Sequence, residues 1–178
     1  MAIRPASNYA DQVAALPYDV MNSEEAREMV KDNPWSFLHV DKAEVDLPAG
    51  TDIYSDEVYQ KAKDNLLNMI GHGIIGQDLL PNLYIYRMTM NGKSQTGLVC
   101  CTSVDEYLDG TIKKHELTRA DKEADRIRHV DTLNANTGPI FLTYKSNDDI
   151  NKVVAHTMEE APVYDFVGDD VQQTVWVI

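Results

Sequence analysis

The dipeptide Asn91-Gly92 is the feature that most constrains what this chain can fold into. It separates two runs, 83–90 (LYIYRMTM) and 94–103 (SQTGLVCCTS), that both read as strands. Asn-Gly tolerates the paired positive φ angles of a type I′ turn, whose twist suits two adjacent antiparallel strands. A hairpin is therefore expected here. Two more strands are expected at 163–167 and 172–178, on either side of Gly168-Asp169-Asp170. Elsewhere the apolar spacing is helical. Residues 22–31 begin with Asn22 as N-cap and Glu25 three positions on, with Pro34 beyond the end. Residues 55–70 place Val58, Ala62, Leu66 and Met69 on one stripe and stop at Gly71, Gly73 and Gly76.

Further capping pairs are Ser103 with Glu106, for a short helix holding Tyr107 and Leu108; Thr118 with Asp121; and Ser146 with Asp149, for a helix over 147–160. Residues 35–40 (WSFLHV) and 140–144 read as strands, and 41–51 as an acidic loop carrying Pro48 and Gly50. The sum is an α+β fold, with a mostly antiparallel or mixed sheet and helices packed on one side. A length of 178 residues at 43% hydrophobic content suits a single domain over 1–178, without repeats or an internal linker. The strand-like run QQTVWVI reaches the last residue, so the chain is expected to be the N-terminal fragment of a longer protein.

Net charge is −13, with a pI near 4.6. That argues against a broad DNA-binding surface, which needs cations to neutralise phosphates. The N-terminus has no apolar signal core and no long apolar run occurs, so a cytoplasmic protein with no membrane partner is expected. The two cysteines, Cys100 and Cys101, are adjacent; strand neighbours face opposite ways, and reduced thiols are the simple reading.

Against this acidic background, residues 112–130 (IKKHELTRADKEADRIRHV) concentrate six of the sixteen Lys and Arg residues. Six cations against four carboxylates give that segment +2, leaving −15 for the rest. Arg119, Lys122, Arg126 and His129 are spaced to share one helical face. Lys114, Arg119, Lys122 and Arg126 are candidate phosphate-binding residues, and His115 and Glu116, just before the Thr118 cap, are candidates for proton transfer. A solvated helix with surface ion pairs, Glu123 with Arg126 or Asp121 with Arg128, is the competing reading. Tyr18 and Asp19, in the turn-like LPYDV, and Asn136, in the loop NANTGP, are supporting candidates; purely structural turn roles stay open for all three. No metal site is assigned, since His-Glu-x-x-His is absent. Neither Gly71-His72-Gly73 nor Gly92-Lys93-Ser94 meets the phosphate-loop pattern.

The segments LPYDVMNSEEAR, NPWSFLHV, PNLYIYRMTMNGKSQTGLV, IKKHELTRADKEADR and NTGPIFLTY occur here in an order that resembles the front part of the "domain of unknown function 1015" family. Its members are often labelled SpoOJ/ParA/ParB/RepB-like. The Lys-His-Glu-x-Thr-Arg stretch, here Lys114 to Arg119, is the most specific piece. The resemblance implies a later segment carrying Asp-Gly-His-His-Arg, similar to the phosphate-binding signature of the ParB/sulfiredoxin superfamily; this chain has no such motif. It also implies nucleotide or phosphoserine chemistry, because that superfamily includes free-serine kinases as well as DNA-segregation proteins.

The leading expectation is the N-terminal domain of a cytoplasmic phosphotransfer or phosphoester enzyme, active only with the missing C-terminal half. Its partner would be a small phosphorylated molecule or a nucleotide, with a Mg-nucleotide as the candidate cofactor. The alternatives are a ParB-like DNA-associated regulator and a ligand-free structural module or homodimer.

Overall fold

The computed structural model describes residues 1–115 and 117–178. Two short strands, β1 (Ile3–Pro5) and β2 (Ile75–Gln77), form a two-stranded antiparallel sheet. The hairpin expected around Asn91-Gly92 is β3 (Tyr84–Met90) and β4 (Lys93–Val99), with Met90 opposite Lys93. Asn91 and Gly92 hold φ angles of 51° and 72°, the paired left-handed geometry that glycine tolerates best. β5 (Tyr164–Gly168) and β6 (Val171–Val177) form the second hairpin. β6 pairs with the free edge of β3, giving a four-stranded antiparallel sheet in the order β4-β3-β6-β5. The protein is thus α+β with antiparallel sheets.

The helices are α1 (Ala10–Val13), α2 (Ser23–Val30), α3 (Leu38–Asp41), α4 (Asp56–Gly71), α5 (Val104–Leu108), α6 (Ala120–Leu133) and α7 (Asp148–Thr157). α2 carries the expected capping box: Asn22 accepts from the Glu24 and Glu25 amides, and the Glu25 carboxylate accepts from the Asn22 amide. On α4 the stripe Val58, Ala62, Leu66 and Met69 is buried against Val13, Val40, Ala43, Ile74 and Ile75, and against Leu133 of α6. Each such aliphatic side chain contributes roughly 1.5–3 kcal/mol on burial. A second cluster joins Ala26 and Val30 of α2 to Leu38 and Val45. Among the described residues, no helix is long and apolar enough to cross a membrane.

Four expectations need correction. Residues 35–40 are turn and helix rather than strand. Asn33 and Ser36 side chains accept from the Trp35 and Leu38 amides, bending the chain so that Leu38 and Val40 enter different clusters. The acidic loop 41–51 contains a 3-10 turn, Ala43–Asp46, with Ala43, Glu44 and Val45 buried; Glu44 is held by Lys42 at 3.1 Å and the Ser23 hydroxyl at 2.8 Å. Residues 140–144 form no strand, and Ile140, Phe141 and Tyr144 are exposed; β propensity without a neighbouring strand satisfies no backbone group. The caps also shift. α7 is capped by Asn147, one residue past Ser146, and α6 begins at Ala120 after Arg119, with no side-chain cap, so the Thr118–Asp121 box does not form.

Candidate functional site

α6 packs along α4, but the residues it buries are unusual for an amphipathic helix. Asp125, His129 and Leu133, four residues apart, face inward, whereas Ile127 is 62% and Val130 39% exposed. A buried carboxylate is costly unless paired and hydrogen-bonded. Asp125 meets both conditions. One oxygen accepts from the Tyr59 hydroxyl of α4 at 2.6 Å, and the other accepts from Arg126 Nε at 3.0 Å and Nη2 at 2.8 Å. The guanidinium of Arg126 lies over the Tyr18 ring, 4.3 Å from its centroid, an arrangement favoured by the ring quadrupole. Burial and the Asp125 bond both push the Tyr59 phenol well above its usual range.

One turn further on, His129 lies 3.1 Å from the Val40 carbonyl through Nε2. A carbonyl only accepts, so Nε2 carries the proton and the neutral ring presents its Nδ1 lone pair. Burial lowers the His129 pKa, and nearby Arg126 adds to the effect, outweighing the Val40 bond and the neighbouring carboxylates. Asp41, at the end of α3, is raised by burial despite a 2.7 Å bond from the Thr137 hydroxyl and the nearby charge of Arg126. Two titratable groups are thus displaced toward each other beside a fixed guanidinium, a pattern that clusters at functional sites.

The sequence candidates distribute unevenly around this network. Arg126 and Tyr18 are brought together. Lys122, one turn before Arg126, reaches the Tyr54 hydroxyl at 3.5 Å. Arg119 forms an exposed ion pair with Asp121 at 2.7 Å. Lys114 lies over the Tyr107 ring at 4.5 Å, His115 is exposed, and Glu116 lies outside the described residues. Asp19 is exposed. Asn136 accepts from the Gly138 amide at 3.2 Å, the turn role that its sequence left open. Arg128, whose pairing with Asp121 was one alternative, instead bonds Asp56 and the Tyr54 carbonyl and stacks on Tyr59. The shared cationic face of Arg119, Lys122, Arg126 and His129 therefore shortens to Lys122 and Arg126, because His129 is buried and neutral.

Asp41 and Tyr59 were not singled out from sequence, and Asp125 entered only as a position of the family motif, without a buried role. The available signal was the interval of four linking Asp125, His129 and Leu133, but Ile127 and Val130 point any apolar-face reading the other way. Among the described residues, no cluster of His, Cys, Asp and Glu could hold a metal ion.

Residues 1–178 match the family model described as Protein of unknown function (DUF1015), and the chain belongs to that family. No curated protein and no solved structure matches it.

Proposed function

We propose that this family member supplies the phosphate-binding wall of a phosphotransfer or phosphoester enzyme acting on a small substrate of the nucleotide or phosphoserine type. The observation that supports the reading is the fixed guanidinium of Arg126. Its Nε and Nη2 are spent on Asp125 and its face on Tyr18, while its side chain keeps 28% of its exposure. A preorganised guanidinium loses little entropy on meeting an oxyanion, and phosphoryl transfer depends chiefly on such positioning and charge stabilisation.

In this reading Arg126 and Lys122 hold the phosphate, Lys114 and Arg119 reach it from the preceding segment, and His115 or Glu116 handles the proton. In this reading the remaining groups are supplied from outside these residues, with a Mg-nucleotide as the candidate cofactor. Binding alone gives no acceleration when ground and transition states are held equally, so this chain by itself is expected to bind without turning over.

The test is calorimetric titration of this protein with O-phosphoserine, inorganic phosphate and Mg-ATP. Saturable binding of at least one is expected, weakened about 10- to 150-fold by Arg126→Ala, the loss of one charge-assisted bond. Arg126→Lys, which keeps the charge but not the fork, should fall between. Absence of binding, or equal binding by Arg126→Ala, removes the reading.

A further inference from the structure

Lys61, Asn65 and Asn68 follow one another along α4 at intervals of four and three, which puts them on one face beside the buried stripe. Opposite them stand Pro34, His39 and Asp46, and with Met69 they enclose a groove of ≈ 350 Å³. That is the size of a small-molecule site, and it is built of different residues from the Arg126 network.

Part of the groove is locked. His39 faces an acceptor through each ring nitrogen: Nδ1 lies 2.9 Å from Asp46 Oδ1, and Nε2 lies 3.2 Å from the Asn33 carbonyl. Two acceptors call for two N–H donors, so the ring is held as the imidazolium. Asn65 then donates to Asp46 Oδ2 at 2.7 Å and to the His39 carbonyl at 2.6 Å. Both oxygens of Asp46 are thereby occupied.

The rest is open. The half-buried Lys61 ammonium has no ion pair or hydrogen bond among the described residues. It lies near enough to His39 and Asp46 to influence both. The Asn68 side-chain amide is likewise uncommitted among the described residues, and one turn on the His72 ring sits 5.5 Å from that of Trp35.

Charge selects the occupant. His39 and Asp46 cancel, so Lys61 leaves the groove with a single positive charge. A monoanion is neutralised there. A phosphate dianion would keep one uncompensated charge in a protein that already carries −13. Length selects further: seven residues of helix set Lys61 and Asn68 about 10 Å apart, with Asn65 between them. We propose that the groove binds a small organic monocarboxylate whose carboxylate meets Lys61, whose carbon body lies over Pro34, and whose far end carries a hydrogen-bonding group for Asn68.

The probe is 4-hydroxyphenylacetate, titrated into ¹⁵N-labelled protein and followed through the Asn65 and Asn68 side-chain amides and the α4 backbone. Saturable shifts confined to this groove are expected. The uncharged 4-hydroxyphenylethanol, and the acid titrated into Lys61→Met, should each bind at least about tenfold more weakly. Lys61→Arg should stay within a few-fold of the parent, and Arg126→Ala should leave the titration unchanged. Lys61 lies at the surface of the groove, and a dispersed spectrum of each variant establishes its fold. Shifts that are absent or scattered overturn the proposal, as do an alcohol or inorganic phosphate that binds as well as the acid, or a Lys61→Met protein that binds it undiminished.

Discussion

Asp125 shows what a single ionisable residue demands when a helix turns it inward. Its two oxygens are divided between Tyr59 and Arg126, so removing either donor leaves a buried charge partly unmet. Tyr59→Phe keeps the ring and its packing and deletes only the hydroxyl. It should cost roughly 1–3 kcal/mol in urea denaturation, and an unchanged midpoint would mean that water replaces the phenol freely. The half-buried His39 and the buried His129 should respond to pH in opposite directions. The Asp46 bond raises His39 above its ordinary value of 6.5 against the penalty of burial. The stability it contributes is complete below 6.5 and fades as pH rises through the raised value. Burial tends to raise Asp46, but the His39 and Asn65 bonds prevail and lower it below its ordinary 3.8, so its contribution is lost only in stronger acid. His129 is lowered from 6.5; its contribution is complete above 6.5 and lost as pH falls. Denaturation at pH 5.5 and 8.5 should therefore show His39→Gln more damaging at the lower pH, and a penalty that grows with pH would reverse the assignment.

At the scale of elements, local chemistry decided those parts of the fold that need no distant partner. The α2 capping box was legible because Asn22 and Glu25 satisfy backbone donors within one turn. Asn22→Ala should cost about 1 kcal/mol in thermal or urea melts, whereas loss of an idle cap would leave the melt unmoved. α6 illustrates the opposite case. Its apolar Ile127 and Val130 suggest one inner face, yet Asp125 and His129 occupy it, because Tyr59 and the Val40 carbonyl wait on neighbouring elements 66 and 89 residues away in sequence. Ile127→Glu should accordingly fall within about 0.5 kcal/mol of the parent protein. A large loss would place Ile127 in a contact that its 62% exposure excludes. Residues 35–40 and 140–144 misled for a related reason. β-branched and aromatic runs report a preference for pleated, half-buried surroundings, and whether a strand edge stands beside them is settled elsewhere in the chain.

For the whole molecule, charge is the property that travels furthest. Outside 112–130 the chain carries −15, and the one cationic segment spends Arg119, Arg126 and Arg128 on Asp121, Asp125 and Asp56. Duplex DNA should be bound weakly or not at all at about 100 mM salt. A tight, salt-sensitive gel shift would instead favour the DNA-associated reading. The hairpins and the α2 cap were determined by the sequence alone, since each rests on interactions within a few residues, and the α4 stripe was legible because its spacing repeats with the helical period. The order β4-β3-β6-β5, the burial of Asp125 and His129, and the meeting of Tyr18 with Arg126 were decided only by tertiary structure. Each joins groups 80 or more residues apart or inverts a local preference, and the free energy that selects them exists only once the partner element is in place.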